Sequence, residues 1–164
     1  MKKLAARTAQ YPLLAEFAFN FNDWVVDSVS GVKETFGSTV AASVDPAEPG
    51  LTGPAAGTIT FDAIPLPPGA VVVGGEVIVE TAGVGPTVFT VSAGIAGNLT
   101  AYANAVDLKT AARTALALTA PLVSNSGQNV RLTVAYTVAN ATAGKFRVRV
   151  LYTLDGRANE TVIV

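Results

Sequence analysis

The last third of the chain alternates apolar and polar residues with a period of two. The apolar positions are Leu132, Val134, Tyr136 and Val138 in one segment and Phe146, Val148, Val150 and Tyr152 in the next. Successive side chains of a β-strand point to opposite faces of a sheet, whereas a helix would repeat every 3.6 residues. The pattern therefore predicts two strands, each with one buried face, joined by a hairpin turn through ANATAGK.

Similar patterns recur along the rest of the chain and predict eight to ten short strands. Phe17, Phe19 and Phe21 alternate with small or polar residues, residues 24–44 fit one or two strands with turns at Gly31 and Gly37, and Val77 and Val79 alternate with Glu76, Ile78 and Glu80. We expect the segment 45–57 to be a loop, a Pro-rich corner at 65–69, a hairpin between 71–81 and 87–94, a short strand around Val106 and another at 113–119. A helical turn through residues 108–113 is an alternative that the sequence leaves undecided. Short strands at this spacing predict an all-β fold, an antiparallel β-sandwich of the jelly-roll type.

The N-terminus has a basic start, but three polar residues and a proline interrupt the apolar run that a signal peptide would need. The interrupting residues are Arg7, Gln10, Pro12 and Glu16. We therefore predict an extended N-terminal arm, residues 1–12, followed by a single sandwich domain, residues 13–164. No run of 18 apolar residues occurs, which argues against a membrane partner.

The sequence has no cysteine and no histidine, which excludes thiolate nucleophiles, imidazole metal ligands and Ser-His catalytic arrangements. Two carboxylate pairs, Asp23 with Asp27 and Glu76 with Glu80, are the candidates for glycoside hydrolysis. Residues 76 and 80 stand roughly 13 Å apart along a strand, beyond the usual spacing, so solvated strand carboxylates are the favoured interpretation. Other acidic residues show no calcium-loop alternation; these are Asp45, Glu48, Asp62, Asp107 and Asp155. We predict no enzyme activity, no cofactor and no metal.

Charge is scarce, with 11 basic and 12 acidic residues and a net charge of −1. A nucleic-acid partner is not expected, because phosphate neutralisation needs a basic surface. Half of the residues are hydrophobic, and this apolar surface must be buried inside the subunit or against others. We predict a homo-oligomer, with a dimer favoured over a trimer.

Basic residues supply the candidate interface. If the last two strands pair, Arg131, Arg147 and Arg149 form one outward stripe, and Arg157 follows it. These guanidinium groups either face solvent or meet carboxylates and carbonyls of an adjoining subunit. In the arm, Lys2, Lys3 and Arg7 belong either to a frayed terminus or to an anchor on a partner.

Several segments together resemble jelly-roll head decoration, or cement, proteins of tailed bacteriophages. They are FDAIPLPPGAVVVGGEVIVETA at 61–82, TVFTVSAG after it, DLKTAART at 107–114, AGKFRVRVLY at 143–152 and DGRANE at 155–160. The resemblance implies a non-enzymatic virion protein, made in the bacterial host cytoplasm, which sits on the outer surface of the assembled capsid. There it would bridge subunits of the phage major capsid protein and stabilise the shell.

A carbohydrate-recognising β-sandwich module of a virion or adhesin is the alternative function. Such a module would need exposed aromatic platforms. Trp24 and most phenylalanines lie in alternating apolar segments, where core packing is the favoured interpretation.

Overall fold

Ten β-strands make up the part of the chain that the computed structural model describes, residues 11–36, 57–119 and 127–154. They are β1 Leu13–Asn20, β2 Trp24–Val26, β3 Lys33–Thr35, β4 Gly57–Leu66, β5 Ala70–Val84, β6 Val88–Ile95, β7 Asn98–Asp107, β8 Arg113–Ala115, β9 Gln128–Thr137 and β10 Ala143–Leu154. These ranges contain no helix. The prediction of an all-β fold is confirmed.

Eight of the strands form two four-stranded antiparallel sheets, and β2 pairs with β3 in a separate hairpin. The first sheet has the order β1-β10-β5-β8 and the second has the order β4-β9-β6-β7. Nine connections join consecutive strands, and seven of them lead from one sheet to another; only β2–β3 and β6–β7 join strands that pair. This alternation between the two sheets is the jelly-roll arrangement of two Greek keys.

Aromatic side chains join the two sheets across the core. The rings of Phe19 on β1 and Phe61 on β4 lie 6.1 Å apart, and those of Phe89 on β6 and Phe146 on β10 meet edge-on at 5.3 Å. Phe36, which follows β3, is fully buried against Phe19. The alternating apolar positions of β5, β9 and β10 supply ten further core residues, as their period-two pattern predicts, and β4, β6 and β7 supply most of the others.

The prediction of two hairpins is wrong: the four strands exist, but the two strands of each predicted hairpin lie in different sheets and do not pair. β5 and β6 are joined by residues 85–87 and β9 and β10 by residues 138–142, and each connection crosses from one sheet to the other. The two crossings touch: Gly85 has φ of +111°, and a Cβ there would lie 2.1 Å from the carbonyl oxygen of Asn140. Alternation identifies the buried face of a strand but not its neighbour, so facing strands and paired strands look alike in sequence.

Some boundaries also differ from the prediction. Val138 lies just after the end of β9, has φ of +74° and is exposed, because the chain turns there toward the other sheet. β7 covers ten residues rather than a short stretch around Val106. Residues 108–110 form bends and residues 111–112 are irregular, so there is no helical turn in this segment. The strand predicted at 113–119 spans three residues. The Pro-rich corner is shorter, because Pro65 and Leu66 still belong to β4, and the turn is made at 67–69.

Other predicted features fall at the limits of the described ranges. Gly31 occupies the turn between β2 and β3 with φ of +72°. Three predicted features lie wholly or partly outside the described residues: residues 1–10 of the arm, residues 37–44 of the predicted strand segment with Gly37, and residues 45–56 of the predicted loop. Gly57, the last residue of that loop, begins β4.

Candidate functional site

The outer face of the first sheet carries seven of the fifteen charged side chains in the described residues. Period two on β10 places Phe146, Val148 and Val150 in the core, so the intervening basic residues point outward. The register of β10 with its two neighbouring strands places acidic residues beside these basic ones. Arg149 lies opposite Glu16 of β1 on one side and opposite Glu76 of β5 on the other. The sheet therefore presents opposite charges on neighbouring strands.

These side chains form one connected row, here called the charge ladder. Its members in order are Arg113, Glu76, Arg149, Glu16, Arg147, Glu80 and Lys145. It crosses all four strands from β8 to β1 and returns to β5 and β10. With four cations and three carboxylates, its net charge is +1.

The strongest links in the ladder involve arginine. Arg113 donates two hydrogen bonds to Glu76, at 2.8 and 2.5 Å. Arg147 donates to Glu16 at 2.6 Å and to Glu80 at 2.7 Å, so one guanidinium bridges β1 and β5 across β10. Planar guanidinium groups suit such divided contacts because their donors point in fixed directions.

Arg149 and Lys145 complete the ladder. Arg149 Nε donates to Glu16 at 3.0 Å, and its Nη1 lies 3.6 Å from Glu76 Oε1. Lys145 Nζ lies 3.0 Å from Glu80 Oε2. Each carboxylate therefore contacts two basic side chains.

The ladder also lowers the pKa of each of its carboxyl groups. The hydrogen bond from Arg149 is the largest cause for Glu16, the one from Arg113 for Glu76 and the one from Lys145 for Glu80. In each case the positive partners outweigh the raising effect of burial. The three carboxylates are therefore ionised at neutral pH.

Exposure is greatest at the two ends of the ladder. The side chains of Arg113 and Lys145 are 66% and 52% exposed, against 23% for Arg147 and 34% for Arg149. The terminal cations thus have room for an additional partner, and the central arginines are largely occupied by their own subunit. The sequence prediction omitted Lys145, Arg113 and Glu16, although Lys145 continues the Arg147 and Arg149 alternation by one step.

The predicted arginine stripe does not exist as one surface. Arg131 lies on β9 of the second sheet and contacts Asp62 of β4 at 2.7 Å, whereas Arg147 and Arg149 belong to the first sheet. All three point away from the core, but on opposite sides of the sandwich, because β9 and β10 face each other instead of pairing. Lys2, Lys3, Arg7 and Arg157 lie outside the described residues.

The carboxylates weighed for catalysis all have structural partners. Asp27 is buried and accepts hydrogen bonds from the backbone amides of Val29, Ser30 and Thr60 at 2.7 to 2.9 Å. Burial raises the pKa of Asp27, but these amides together lower it below its ordinary value. Asp23 accepts from the backbone amide of Asn20 at 2.7 Å.

The remaining acidic residues form no metal site in the described ranges. Asp62 pairs with Arg131, and Asp107 accepts from the amide of Lys109. No group of three or more acidic side chains converges in residues 11–36, 57–119 and 127–154, and Asp45, Glu48 and Asp155 lie outside them. The same ranges include no helix long and apolar enough to cross a membrane.

Trp24 is not part of the core, contrary to the prediction. Val25 takes the buried position on β2, and Trp24 is half-buried with the Lys33 ammonium 4.6 Å from its ring centre. Trp24 lines an open hollow of about 420 Å³ together with Phe17, Phe61 and Asp62.

Comparison with known proteins identifies the fold. No protein-family model matches the sequence, and no curated protein matches it. The structure is similar to a chain of the solved cyanophage Pam1 capsid asymmetric unit, with a TM-score of 0.56 and 20% sequence identity. The similarity covers 93% of this chain and 94% of that chain.

Proposed function

We propose that this protein is a structural component of a phage capsid, specifically a decoration protein on the outer surface of the assembled head that bridges major capsid protein subunits. The observation that carries the proposal is the likeness to a chain of a cyanophage capsid over nearly the full length of both chains. The match leaves almost no part of either chain unaccounted for, so the shared unit is nearly the whole of this chain rather than a small module within it.

The composition and the surface are consistent with a role in binding rather than chemistry. Asp23, Asp27, Glu76 and Glu80 all serve turns or ion pairs within the subunit. The ladder ends at exposed cations, and exposed apolar side chains such as Val29, at 81%, and Leu14, at 57%, offer additional contact surface. No catalytic step is part of the proposed function.

The proposed mechanism is stabilisation by mass action. A protein that binds the assembled shell but not its separated subunits shifts the equilibrium toward the shell, and many copies per particle multiply a modest contribution from each. Attachment would use the basic arm residues Lys2, Lys3 and Arg7 and the exposed cations of the sandwich, directed at carboxylates and carbonyls of the shell.

The direct experiment compares phage particles with and without this protein. Both kinds are heated or osmotically shocked in parallel, and DNA release is measured. We expect particles that lack the protein to release DNA at a lower temperature, with particle shape unchanged. Adding purified protein back should restore the higher release temperature. Identical release curves, or absence of the protein from purified virions, would refute the proposal.

The hollow beside Trp24 supports a second candidate function, carbohydrate recognition. An indole next to a carboxylate in an open depression is a common way to hold a sugar ring. A glycan array probed with the wild-type protein and with Trp24→Ala distinguishes the two functions. Binding that the substitution abolishes would favour the sugar-binding module, whereas an array without signal leaves capsid binding as the function.

A further inference from the structure

Four strands lie at the edges of the two sheets, and the edge at β4 is covered. The amide of Thr60 on β4 donates to Asp27 Oδ2 at 2.9 Å, and its carbonyl accepts from the amide of Ser28 at 2.6 Å. Further along, a bulge between Asp62 and Ile64 and the ring of Pro65 interrupt the strand. Such devices prevent an edge from pairing with another chain.

The edges at β7 and β8 are also poor templates. The amides of Ala117 and Thr119 donate to carbonyls of β7 at 2.8 and 3.0 Å, and Ala105 in the same strand has φ of +48°. β8 is only three residues long. Neither edge offers a long, regular row of free backbone groups.

β1 is different, because it is eight residues long, pairs with β10 without a register shift and contains no proline. The amide of Phe21 donates to the carbonyl of Gly144 at 3.1 Å, and this bond shows which residues of β1 direct their backbone groups toward β10. Hydrogen-bonded positions alternate in an antiparallel pair, so odd-numbered residues bond to β10 and even-numbered residues point their N–H and C=O outward. The outward residues are Leu14, Glu16 and Ala18.

No described residue bonds to the outward backbone groups of these three residues. The row has definite ends. Pro12 has no N–H on one side, and on the other the amide of Asn20 is already taken by Asp23 Oδ2 at 2.7 Å. Within the described part of the chain, three donors and three acceptors centred on Glu16 are therefore without a partner.

We propose that the β1 edge pairs antiparallel with β1 of a second copy of this chain, forming an eight-stranded sheet across a two-fold axis at Glu16. Leu14 of each copy would lie opposite Ala18 of the other, and six hydrogen bonds would form. Shifting the register by one repeat would place a missing or occupied amide, at Pro12 or Asn20, opposite a free carbonyl. The open row thus matches itself in one register.

Side chains on the outer face are compatible with this pairing. The two Glu16 carboxylates would approach at the axis, but each already contacts Arg147 and Arg149, so four guanidinium groups surround two carboxylates. Leu14, which is 57% exposed, would cover the small Ala18 of the partner copy. The ladder around the edge is nearly neutral, with four cations and three carboxylates, which does not favour a highly charged strand from another protein.

The pairing does not rest on the capsid proposal and is tested on the isolated protein. Because the chain has no cysteine, Leu14→Cys and Ala18→Cys each introduce a single thiol. Opposed residues of a hydrogen-bonded antiparallel pair have Cα atoms roughly 5.5 Å apart, within disulfide reach. In either variant alone the two thiols would be separated by about 13 Å along the strands.

We expect a mixture of the two variants to form disulfide-linked dimers on oxidation, at least tenfold more than either variant alone. Equal cross-linking in the single variants would overturn the register, and no cross-linking in the mixture would overturn the pairing. Sedimentation of the wild type should show a dimer at about 100 µM, and a clean monomer there would also refute it.

Ala18→Pro removes one outward amide per copy while leaving the bonds to β10 intact, and Ala18→Thr is the matched control that keeps the amide. We expect Ala18→Pro to raise the dimer dissociation constant roughly tenfold or more and Ala18→Thr to leave it within threefold. Equal effects of the two substitutions would contradict the proposal.

Amide exchange of the wild type keeps the proposal testable if the proline variant fails to fold. The amides of Glu16 and Ala18 should exchange more slowly as protein concentration rises, whereas the outward amide of Ala115 on β8 should not respond. Protection of β1 only when capsid is added would assign the edge to a strand of another protein and overturn self-pairing.

Discussion

At the residue scale, Asp27 illustrates a role that its neighbourhood in the sequence does not reveal. Its carboxylate holds two amides of its own turn and the amide of Thr60, 33 residues away, and so closes the edge of β4. Sequence reasoning could recognise an acidic residue near a turn, but the third partner depends on how the β2–β3 hairpin lies against β4. The carboxylate that seemed available for chemistry is a structural cap.

We expect Asp27→Ala to destabilise the fold by about 1–3 kcal/mol, because the buried amide of Thr60 would lose its acceptor. Asp107→Ala is the control, since its carboxylate serves only an exposed turn amide, and it should stay within about 0.5 kcal/mol of the wild type. Urea unfolding measures both. Equal losses would show that the burial of Asp27 does not matter.

Tyr136 gives the fold a sensitivity to alkaline pH. Burial, together with the nearby charge of Glu34, raises the pKa of Tyr136 from its ordinary value of 10.0 to about 12. The folded state thus retains a proton that the unfolded state releases, so stability is complete below pH 10 and falls as pH rises toward 12. The loss expected over that window is about 3 kcal/mol.

Tyr136→Phe should flatten this decline, although it also removes the 3.3 Å hydrogen bond from the hydroxyl to the carbonyl of Thr35. Unfolding midpoints measured from pH 8 to 12 provide the comparison, and Tyr11→Phe, at an 87% exposed position, serves as the control. A wild-type midpoint that stays constant up to pH 12 would contradict the expectation.

At the scale of elements, the close contact between β5 and β10 depends on one glycine of a Gly-Gly pair. Gly75 has φ of +145°, and a Cβ there would lie 2.1 Å from the carbonyl oxygen of Arg149. At the adjacent Gly74, a Cβ would make only an ordinary contact of 3.8 Å with Leu151. The two neighbouring positions therefore have different tolerance for a side chain.

We expect Gly75→Ala to cost roughly 2–4 kcal/mol, because both the backbone and Arg149 would have to move. Gly74→Ala should change stability by less than about 1 kcal/mol and can stabilise, since it restricts the unfolded chain. Thermal unfolding of the matched pair is the measurement. Equal melting temperatures would show that the β5–β10 contact is looser than described.

The charge ladder predicts a response to acid. The pKa values of Glu16, Glu76 and Glu80 are lowered in the folded protein, so their contribution is present above the unfolded value near 4.5 and is lost as pH falls through the lower folded values. Glu16→Gln should lose less stability than the wild type between pH 7 and pH 3, because Gln cannot be protonated there.

Urea midpoints at several pH values, at low and high salt, measure this response. The difference in stability between the wild type and Glu16→Gln at pH 7 should shrink in high salt, because salt screens exposed ion pairs. An unchanged acid response in Glu16→Gln would mean that the links of Glu16 to β10 contribute nothing to stability.

At the scale of the whole molecule, the sequence predicts the class of fold and the buried faces far better than it predicts which strands are neighbours. Leu132, Val134, Phe146 and Val148 are all buried, as their alternation indicates. The hairpin between them is nevertheless absent, and with it the single stripe of Arg131, Arg147 and Arg149. Pairing is decided by contacts between distant strands, such as β1 with β10, which leave no mark in a local pattern.

We expect the sandwich to fold without residues 1–12, because β1 begins at Leu13 and Tyr11 makes little contact with it, being 87% exposed. The truncated protein should keep its melting temperature within a few degrees while losing capsid binding, as the proposed function requires of the arm. Competition between the two forms for undecorated particles measures the binding. Equal occupancy would show that attachment uses the sandwich alone.

The position of β10 at the centre of the first sheet also determines when folding can finish. β10 begins at Ala143, more than a hundred residues after β1 ends at Asn20, yet both β1 and most of β5 take their hydrogen bonds from it. During synthesis, β1 is made early and must wait while more than a hundred further residues leave the ribosome. Pairings so distant in sequence form slowly, and until they do the exposed strand edges are open to other nascent copies. The order of translation, rather than the final free energy, thus sets the interval in which this protein is most exposed to aggregation.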